Sequence, residues 1–172
     1  MRMVRRSRTT LGRQAACRRE PAQSASWSAA CFRSGMAISV RAVEYFYTRV
    51  ENEPGKAYDL LTQLASEDIS LLAFSAVPFG PNHVELTIFP GNIPNFEAFA
   101  ERSGWTVTGP QHAILIQGDD QLGALAEIHR KLRDTGVMIY ASSGVTDGQG
   151  RYGYVIYTRE GDHLAAANAL SS

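Results

Sequence analysis

The stretch "ENEPGKAYDLLTQLASEDISL", residues 51–71, joins a proline–glycine turn to a helical pattern of apolar residues. After the turn, apolar side chains recur at the spacing of one helix face: Ala57, Leu60, Leu61 and Leu64. Pro54 suits a first helical turn, because its missing N–H is not needed there. Gly55 is unfavourable in an early helical turn by up to about 1 kcal/mol relative to alanine. Its advantage is bare backbone at a helix N-terminus, where N–H groups and the helix dipole attract an anion.

A second interpretation of this turn is purely structural. Asn52 is a favoured helix N-cap residue, and a capping role would account for it without any ligand. The sequence leaves both interpretations of the turn open.

The same frame recurs 68 residues later, where Gly123 corresponds to Gly55 and Leu132 to Leu64. Repetition over a whole helix and strand indicates a duplicated structural unit. The predicted strands are residues 42–50, 69–77, 83–89 and 105–109, then 112–118, 137–145 and 152–158. The predicted helices include residues 57–64, 93–104, 125–132 and 162–170. The predicted fold class is therefore α+β, with two tandem ferredoxin-like βαββαβ units, antiparallel sheets and a second unit that lacks its last strand.

Charge divides the chain into a leader and a body. Residues 1–35 carry eight arginines and one acid, a net charge of +7, whereas residues 36–172 carry nine basic and sixteen acidic residues, a net charge of −7. The leader is predicted to be disordered, and it is either a mitochondrial-type transit peptide or a segment upstream of a true start at Met36. The body is predicted to form two domains, 36–110 and 111–172. Its acidity argues against nucleic-acid binding.

The body offers few groups for catalysis or metal binding. Both cysteines, Cys17 and Cys31, lie in the leader, and no histidine pair has metal-ligand spacing. The stretch "GQGRYG", residues 148–153, is followed by a strand where a dinucleotide fingerprint would open a helix, so it is predicted to be a hairpin loop and not a dinucleotide site. The paired acids Asp119 and Asp120 are either acid–base groups or, more simply, helix-start residues. We therefore predict no catalytic residues, no metal and no cofactor.

The repeated unit and the turn Asn52–Gly55 resemble the ACT family of regulatory domains, which carry Asp/Asn-x-Pro-Gly at the start of their first helix. The resemblance implies an amino-acid sensor in which the ligand carboxylate faces the glycine turn and a neighbouring domain completes the pocket. The implied binding residues are Asn52, Glu53, Pro54, Gly55, Lys56, Asp119, Asp120, Leu122 and Gly123. The second turn departs from the pattern, because Leu122 stands where proline is expected and Asp119 adds negative charge.

The expected function is that of a small-molecule-binding regulatory protein, a stand-alone sensor or the regulatory subunit of a separate enzyme. The expected ligand is an amino acid, and the protein is not expected to be an enzyme itself. One alternative is a ligand-free interaction module that pairs through sheet edges, and another is a small ferredoxin-like enzyme. Two-fold dimers are the commonest soluble oligomers, so a homodimer is expected. No membrane or nucleic-acid partner is expected, and the expected location is the cytoplasm, or the mitochondrial matrix if the leader is a transit peptide.

Overall fold

A computed structural model describes residues 38–171, which form one six-stranded antiparallel sheet with four helices on one face. The predicted leader lies outside the described residues. The α+β class is confirmed. The elements in chain order are β1 (Ser39–Glu51), α1 (Lys56–Ser66), β2 (Leu71–Phe79), β3 (His83–Pro90), α2 (Ile93–Ser103), β4 (Thr108–Asp119), α3 (Ala124–Asp134), β5 (Ile139–Thr146), β6 (Arg151–Thr158) and α4 (His163–Ser171).

The prediction of a separate strand over residues 105–109 is wrong. Trp105 and Val107 lie in irregular backbone, and β4 runs without a break from Thr108 to Asp119. Both side chains pack against the apolar cluster that includes Leu60 and Leu64, and the Trp105 ring meets Phe99 edge-on with 4.8 Å between ring centroids. The apolar pattern of this stretch therefore reflects packing beneath α2 and not strand pairing.

The two repeats share their central strands. The sheet order is β2-β3-β1-β4-β6-β5, so β1 and β4 are neighbours at its centre. The start of β4 pairs with the end of β1 and supplies the fourth strand of the first unit, as in Tyr47 opposite Thr108. The start of β1 pairs with the end of β4, as in Ser39 opposite Gln117. No strand follows α4 within the described residues, and the N-terminal half of β1 occupies that place in the second unit.

One continuous sheet therefore connects the two predicted domains. The proposed boundary between residues 110 and 111 falls inside β4, and the described residues 38–171 group as one compact unit. Because each repeat depends on a strand of the other, the two repeats are expected to unfold together.

Three apolar clusters hold the fold together. Two lie between the helices and the sheet: one around Leu60, Leu64 and Phe96, the other around Ile128, Leu132 and Leu170. The third cluster consists of strand residues alone and lies on the opposite, helix-free face; its buried members are Val43, Phe89, Ala113, Leu115 and Val155. Alternating side chains of a strand point to opposite faces, so the central strands are apolar on both sides.

None of the described helices is long and apolar enough to cross a membrane.

Candidate ligand-binding turns

The turn before α1 needs glycine for a conformational reason that the sequence argument did not identify. Gly55 occupies the helix N-cap position with φ 94° and ψ −18°, a left-handed conformation that other L-residues adopt only with strain. The capping role considered for Asn52 is not observed, since no side chain caps α1. Instead, the Asn52 N–H donates to the Asn82 carbonyl in the β2–β3 loop, at 2.8 Å. The turn is thereby fixed to the adjacent hairpin.

The turn before α3 repeats this geometry. Gly123 is the N-cap residue with φ 90° and ψ 0°. The Asp120 N–H donates to the Gly150 carbonyl at 2.7 Å, which is the bond of Asn52 to Asn82 shifted by 68 residues. The expectation that Asp119 or Asp120 caps the helix is wrong, because Gly123 holds that position and no side chain caps α3. Asp119 ends β4 opposite Arg151, and Asp120 lies in the turn.

Both helices begin with backbone donors that lack acceptors. The N–H groups of Ala57 and Tyr58 in α1, and of Leu125 and Ala126 in α3, have no hydrogen-bond acceptor among residues 38–171. Such groups concentrate partial positive charge at a helix start and bind carboxylates or phosphates. Each turn therefore has the donors that an anionic ligand needs.

Within one chain the two turns do not face each other. Glu51 and Asp119, which lead into them, end two antiparallel neighbouring strands and so lie at opposite ends of the sheet. The 13 residues of β1 separate these ends by roughly 40 Å. The predicted binding residues thus form two groups, Asn52–Lys56 and 119–123, and a pocket that uses both groups requires a second chain.

The surroundings of the two turns differ at one pair of packed positions. Beside the first turn, Val50 and Val84 face each other across β1 and β3. The equivalent pair beside the second turn is Gly118 and Tyr152, across β4 and β6. The Tyr152 ring occupies the space above Gly118, since a Cβ added there would come within 3.1 Å of the ring. The second repeat thus places one large polar aromatic residue where the first has two valines.

The Tyr152 hydroxyl is buried without a hydrogen-bond partner among the described residues. The residue is only 7% exposed. Burial, together with the negative charge of Asp119, raises the pKa of Tyr152, so the hydroxyl keeps its proton at neutral pH. A buried polar group without a partner costs about 1–3 kcal/mol, and a ligand that accepts its hydrogen bond removes that cost.

A cavity of about 580 Å³ lies beside the second turn. It is lined by residues 120–126, by Gly144, Val145 and Thr146 of β5, and by Tyr152 and Gly153 of β6. The start of α3 and Tyr152 thus border the same space. Leu122, which is 94% exposed, borders it as well. Asp120 lines the cavity and Asp119 does not. The volume is within the range of small-molecule sites.

The first turn is more open. Asn52, Glu53, Pro54 and Gly55 are exposed. Lys56 borders a cavity of about 380 Å³ together with Thr48 and Trp105, and the four preceding residues do not line that cavity. The Lys56 ammonium lies 3.3 Å from Glu53, so its charge is partly balanced by a neighbour. Within a single chain, the first turn offers donors without an enclosing wall.

Sequence reasoning missed Tyr152, Val145 and Thr146. These residues lie on β5 and β6, far along the chain from the glycine turn, and only the sheet brings them to it. One signal was available: the 68-residue alignment places Gly118 and Tyr152 where the first repeat has Val50 and Val84.

The described part of the chain contains no candidate metal-binding cluster. Residues 38–171 contain no group of three or more His, Cys, Asp or Glu side chains that could hold an ion.

No protein-family model and no curated protein matches the sequence. Solved structures do match it. A protein from Bacteroides thetaiotaomicron is 18% identical over 77% of this chain and 88% of that chain, with a TM-score of 0.65. The ligand-free regulatory subunit of aspartate kinase from Thermus thermophilus is 16% identical over 80% of this chain and 95% of that chain, with a TM-score of 0.57. A structure of aspartokinase alpha and beta subunits is 19% identical over 77% and 93%, with a TM-score of 0.52.

The chain has an ACT-type fold. At these identities the similarity shows the architecture alone, and the ACT-type arrangement expected from the glycine turn and the repeat is thereby confirmed. The ligand has to be argued from this chain's own residues.

Proposed function

We propose that the protein is a regulatory protein that binds a small molecule with a carboxylate group at the Gly123 turn, and that this ligand is an amino acid. The observation that carries the proposal is that the unused backbone N–H groups of Leu125 and Ala126 and the residue Tyr152 border one cavity. The Tyr152 hydroxyl, buried behind this surface, is a further donor without a partner among the described residues.

The chemistry of the cavity suits an amino acid. A carboxylate at the start of α3 would accept from the free N–H groups and gain from the helix dipole. Asp120, on the same turn, is a partner for the ligand ammonium. Leu122 and Val145 provide an apolar wall for a side chain. Because the Tyr152 hydroxyl remains protonated, it serves as a neutral donor to the ligand.

The Asn52–Lys56 turn is proposed as a second site that another chain would complete. The sequence ranks this turn first, because it carries the full Asn-x-Pro-Gly pattern. We rank the Gly123 turn first, because its cavity is formed within one chain. A homodimer, also proposed here, could supply the missing wall at Gly55. Light scattering at micromolar protein concentration would test it, and a monomer mass would contradict it.

We propose that the protein regulates a separate enzyme and does not catalyse a reaction itself. A structural neighbour is the regulatory subunit of an aspartate kinase, which supports regulation by subunit contact with a separate enzyme. The proposed location remains the cytoplasm or the mitochondrial matrix.

Sheet-edge pairing is the second candidate function, and one observation favours it. The edge strand β5 and the residue before it expose Met138, Tyr140 and Val145 by 53%, 81% and 73%. An unpaired edge with apolar side chains is a template for another chain. Under this alternative, Val145→Lys would dissociate an oligomer and amino acids would not stabilise the fold.

The test of the proposed function is a thermal-shift screen with the twenty amino acids, followed by calorimetry on matched variants. A ligand at 100 times its dissociation constant adds about 2.7 kcal/mol to the folded state. Aspartate tolerates the left-handed conformation better than most residues, so Gly123→Asp should fold while its carboxylate repels the ligand. Gly55→Asp carries the same change at an equivalent φ and is the matched control. The proposal predicts that Gly123→Asp abolishes binding and Gly55→Asp retains most of it, whereas a folded Gly123→Asp with full affinity would exclude the site.

A further inference from the structure

The helix-free face of the sheet is concave. In a flat sheet of this order, β2 and β6 would stand four strand spacings apart, roughly 19 Å. Ser75 of β2, Tyr157 of β6 and residues 140–143 of β5 nevertheless line one cavity. A flat sheet would not enclose a space between its two edge strands, so the sheet curls and brings its edges towards each other.

Both edge strands border the space that this curvature creates. A cavity of about 720 Å³ is lined by Ser75, Val77 and Phe79 of β2 and by residues 140–143 of β5. Adjoining it through Ser143 is a second cavity of about 850 Å³ over Leu115 and Val155. A second copy of the chain presents the same concave surface, and two concave faces cannot close on each other. A small molecule therefore fits this face better than another sheet does.

Aromatic rings lie next to small side chains on the helix-free face of the sheet. The Tyr45 ring lies 5.1 Å from Phe89 and 5.2 Å from Tyr157, measured between centroids. Ala113 and Ala141 flank Tyr157 on the neighbouring strands, and their short side chains leave depth beside its ring. The tyrosine rings thus border the cavity and offer it aromatic surface against which a planar group can pack.

The first of these cavities carries little net charge. Its cation, Arg49, donates to the Glu85 carboxylate at 3.1 Å and lies 3.7 Å above the centre of the Phe79 ring. Burial raises the pKa of both Tyr45 and Tyr157, so these phenols stay neutral hydrogen-bonding groups. An ionised ligand would lose hydration here without gaining a free counter-charge.

We propose that the concave face binds an uncharged aromatic small molecule against the rings of Tyr45 and Tyr157, at a site separate from the glycine turns. The ligand ring stacks against Tyr45 and Tyr157, and the hydroxyls of Ser75 and Thr87 meet its polar edge. This site is independent of the amino-acid site, because none of its lining residues belongs to the 120–126 turn.

The test uses three probes with the same naphthalene ring and different charge. 2-Naphthol, 2-naphthoate and 2-naphthylmethylammonium would each be titrated into the full chain by calorimetry at neutral pH. The neutral 2-naphthol should bind at least about tenfold more tightly than either ion, because the ions must be desolvated without a partner. Failure of 2-naphthol to bind, or equal binding of all three probes, would overturn the proposal.

A pair of variants locates the site. Ala141 is exposed on β5 opposite Tyr157, so Ala141→Trp should fold and fill the cavity, with loss of 2-naphthol binding. Ala126 is also exposed and lies beside the Gly123 turn, so Ala126→Trp is the control and should leave 2-naphthol binding unchanged. The reverse pattern would place the probe at the amino-acid site and reject the concave-face site. If Ala141→Trp does not fold, the three-probe series on the unmodified chain decides.

Discussion

The turns at Gly55 and Gly123 share the same backbone conformation but differ in their surroundings. Each begins a helix with a left-handed glycine, and each is bound to the neighbouring hairpin loop by an equivalent hydrogen bond. The Gly123 turn lines a cavity of about 580 Å³ along its length, whereas the cavity of about 380 Å³ beside the first turn is reached by Lys56 and not by residues 52–55. The comparison separates what the fold requires from what a ligand requires.

The backbone of the turn belongs to the fold. A glycine with positive φ at both positions explains its repetition without any ligand. The exchange of two valines for Gly118 and Tyr152 has no such explanation, because it buries a hydroxyl without a partner. A costly feature present in one repeat and absent from the other is the better marker of a binding site.

The largest predicted effect tests whether the two halves are one folding unit. Leu64 and Leu132 are equivalent and at most 1% exposed. Leu64→Ala and Leu132→Ala should each destabilise the protein by about 2–5 kcal/mol. Because β1 and β4 belong to both repeats, each variant should show a single urea transition by far-UV circular dichroism and by fluorescence. Two separate transitions, with each variant shifting one, would show that the halves are independent.

The second-largest predicted effect is the loss of stability when either turn glycine is replaced. Gly55→Ala and Gly123→Ala should each cost roughly 1–2 kcal/mol, since alanine is strained at a φ near 90°. Urea denaturation of the two variants should give equal losses if the turns are equivalent backbones. A loss at one position alone would mean that the other turn adapts. Gly153→Ala, where φ is not positive and a Cβ meets nothing within 4 Å, is the control and should change little.

A smaller predicted effect on stability concerns Gly118 and Tyr152, which stand where the first repeat has two valines. Gly118→Val alone should destabilise the protein, because a Cβ at this position would lie 3.0 Å from Ile38 and 3.1 Å from the Tyr152 ring. Adding Tyr152→Val recreates the pair found at Val50 and Val84 and should restore part of the loss. The double-mutant cycle should give a coupling of about 1 kcal/mol. Strict additivity would show that the ring does not depend on Gly118 for its place.

The sequence predicts the regular elements of the fold well and the way they are joined poorly. Periodicity and the repeat located the four helices and six of the seven predicted strands, because burial on one helix face or sheet face leaves a regular pattern. Trp105 and Val107 were misassigned, because apolar residues under a helix have the same composition as a short strand. The sharing of β1 and β4 could not be predicted, since nothing local distinguishes a strand that pairs on both sides from two separate strands.

For the site, sequence identified the glycine turns and not their walls. Gly123 and Asp120 border the cavity as proposed residues, and Tyr152 reaches it through strand pairing alone. Residues that meet through a sheet carry no common motif, so no local pattern joins Tyr152 with the turn, and only the alignment of the two repeats marks it.

The smallest predicted effect distinguishes the two hairpin loops. In the β5–β6 loop, backbone N–H groups of Arg151 and Gln149 donate to the Asp147 carboxylate and lower its pKa. A lowered folded-state pKa stabilises the protein above the ordinary aspartate range, and this contribution is lost as pH falls below about 4. The β2–β3 loop, Gly80–Asn82, has no acid. Asp147→Asn should therefore lower the thermal midpoint at pH 7, and the difference from the unmodified protein should shrink as pH falls below about 4. A difference that stays constant with pH would contradict this.

The most direct test of the account is a backbone amide map by NMR during titration with the amino acid that the screen identifies. The account predicts the largest shift changes at Leu125 and Ala126, with smaller changes around Tyr152, and unchanged amides at Ala57 and Tyr58. Because both pairs of N–H groups begin equivalent helices, each pair is the internal control of the other. Saturating shifts at Ala57 and Tyr58, with Leu125 and Ala126 unmoved, would contradict the assignment of the site to the Gly123 turn.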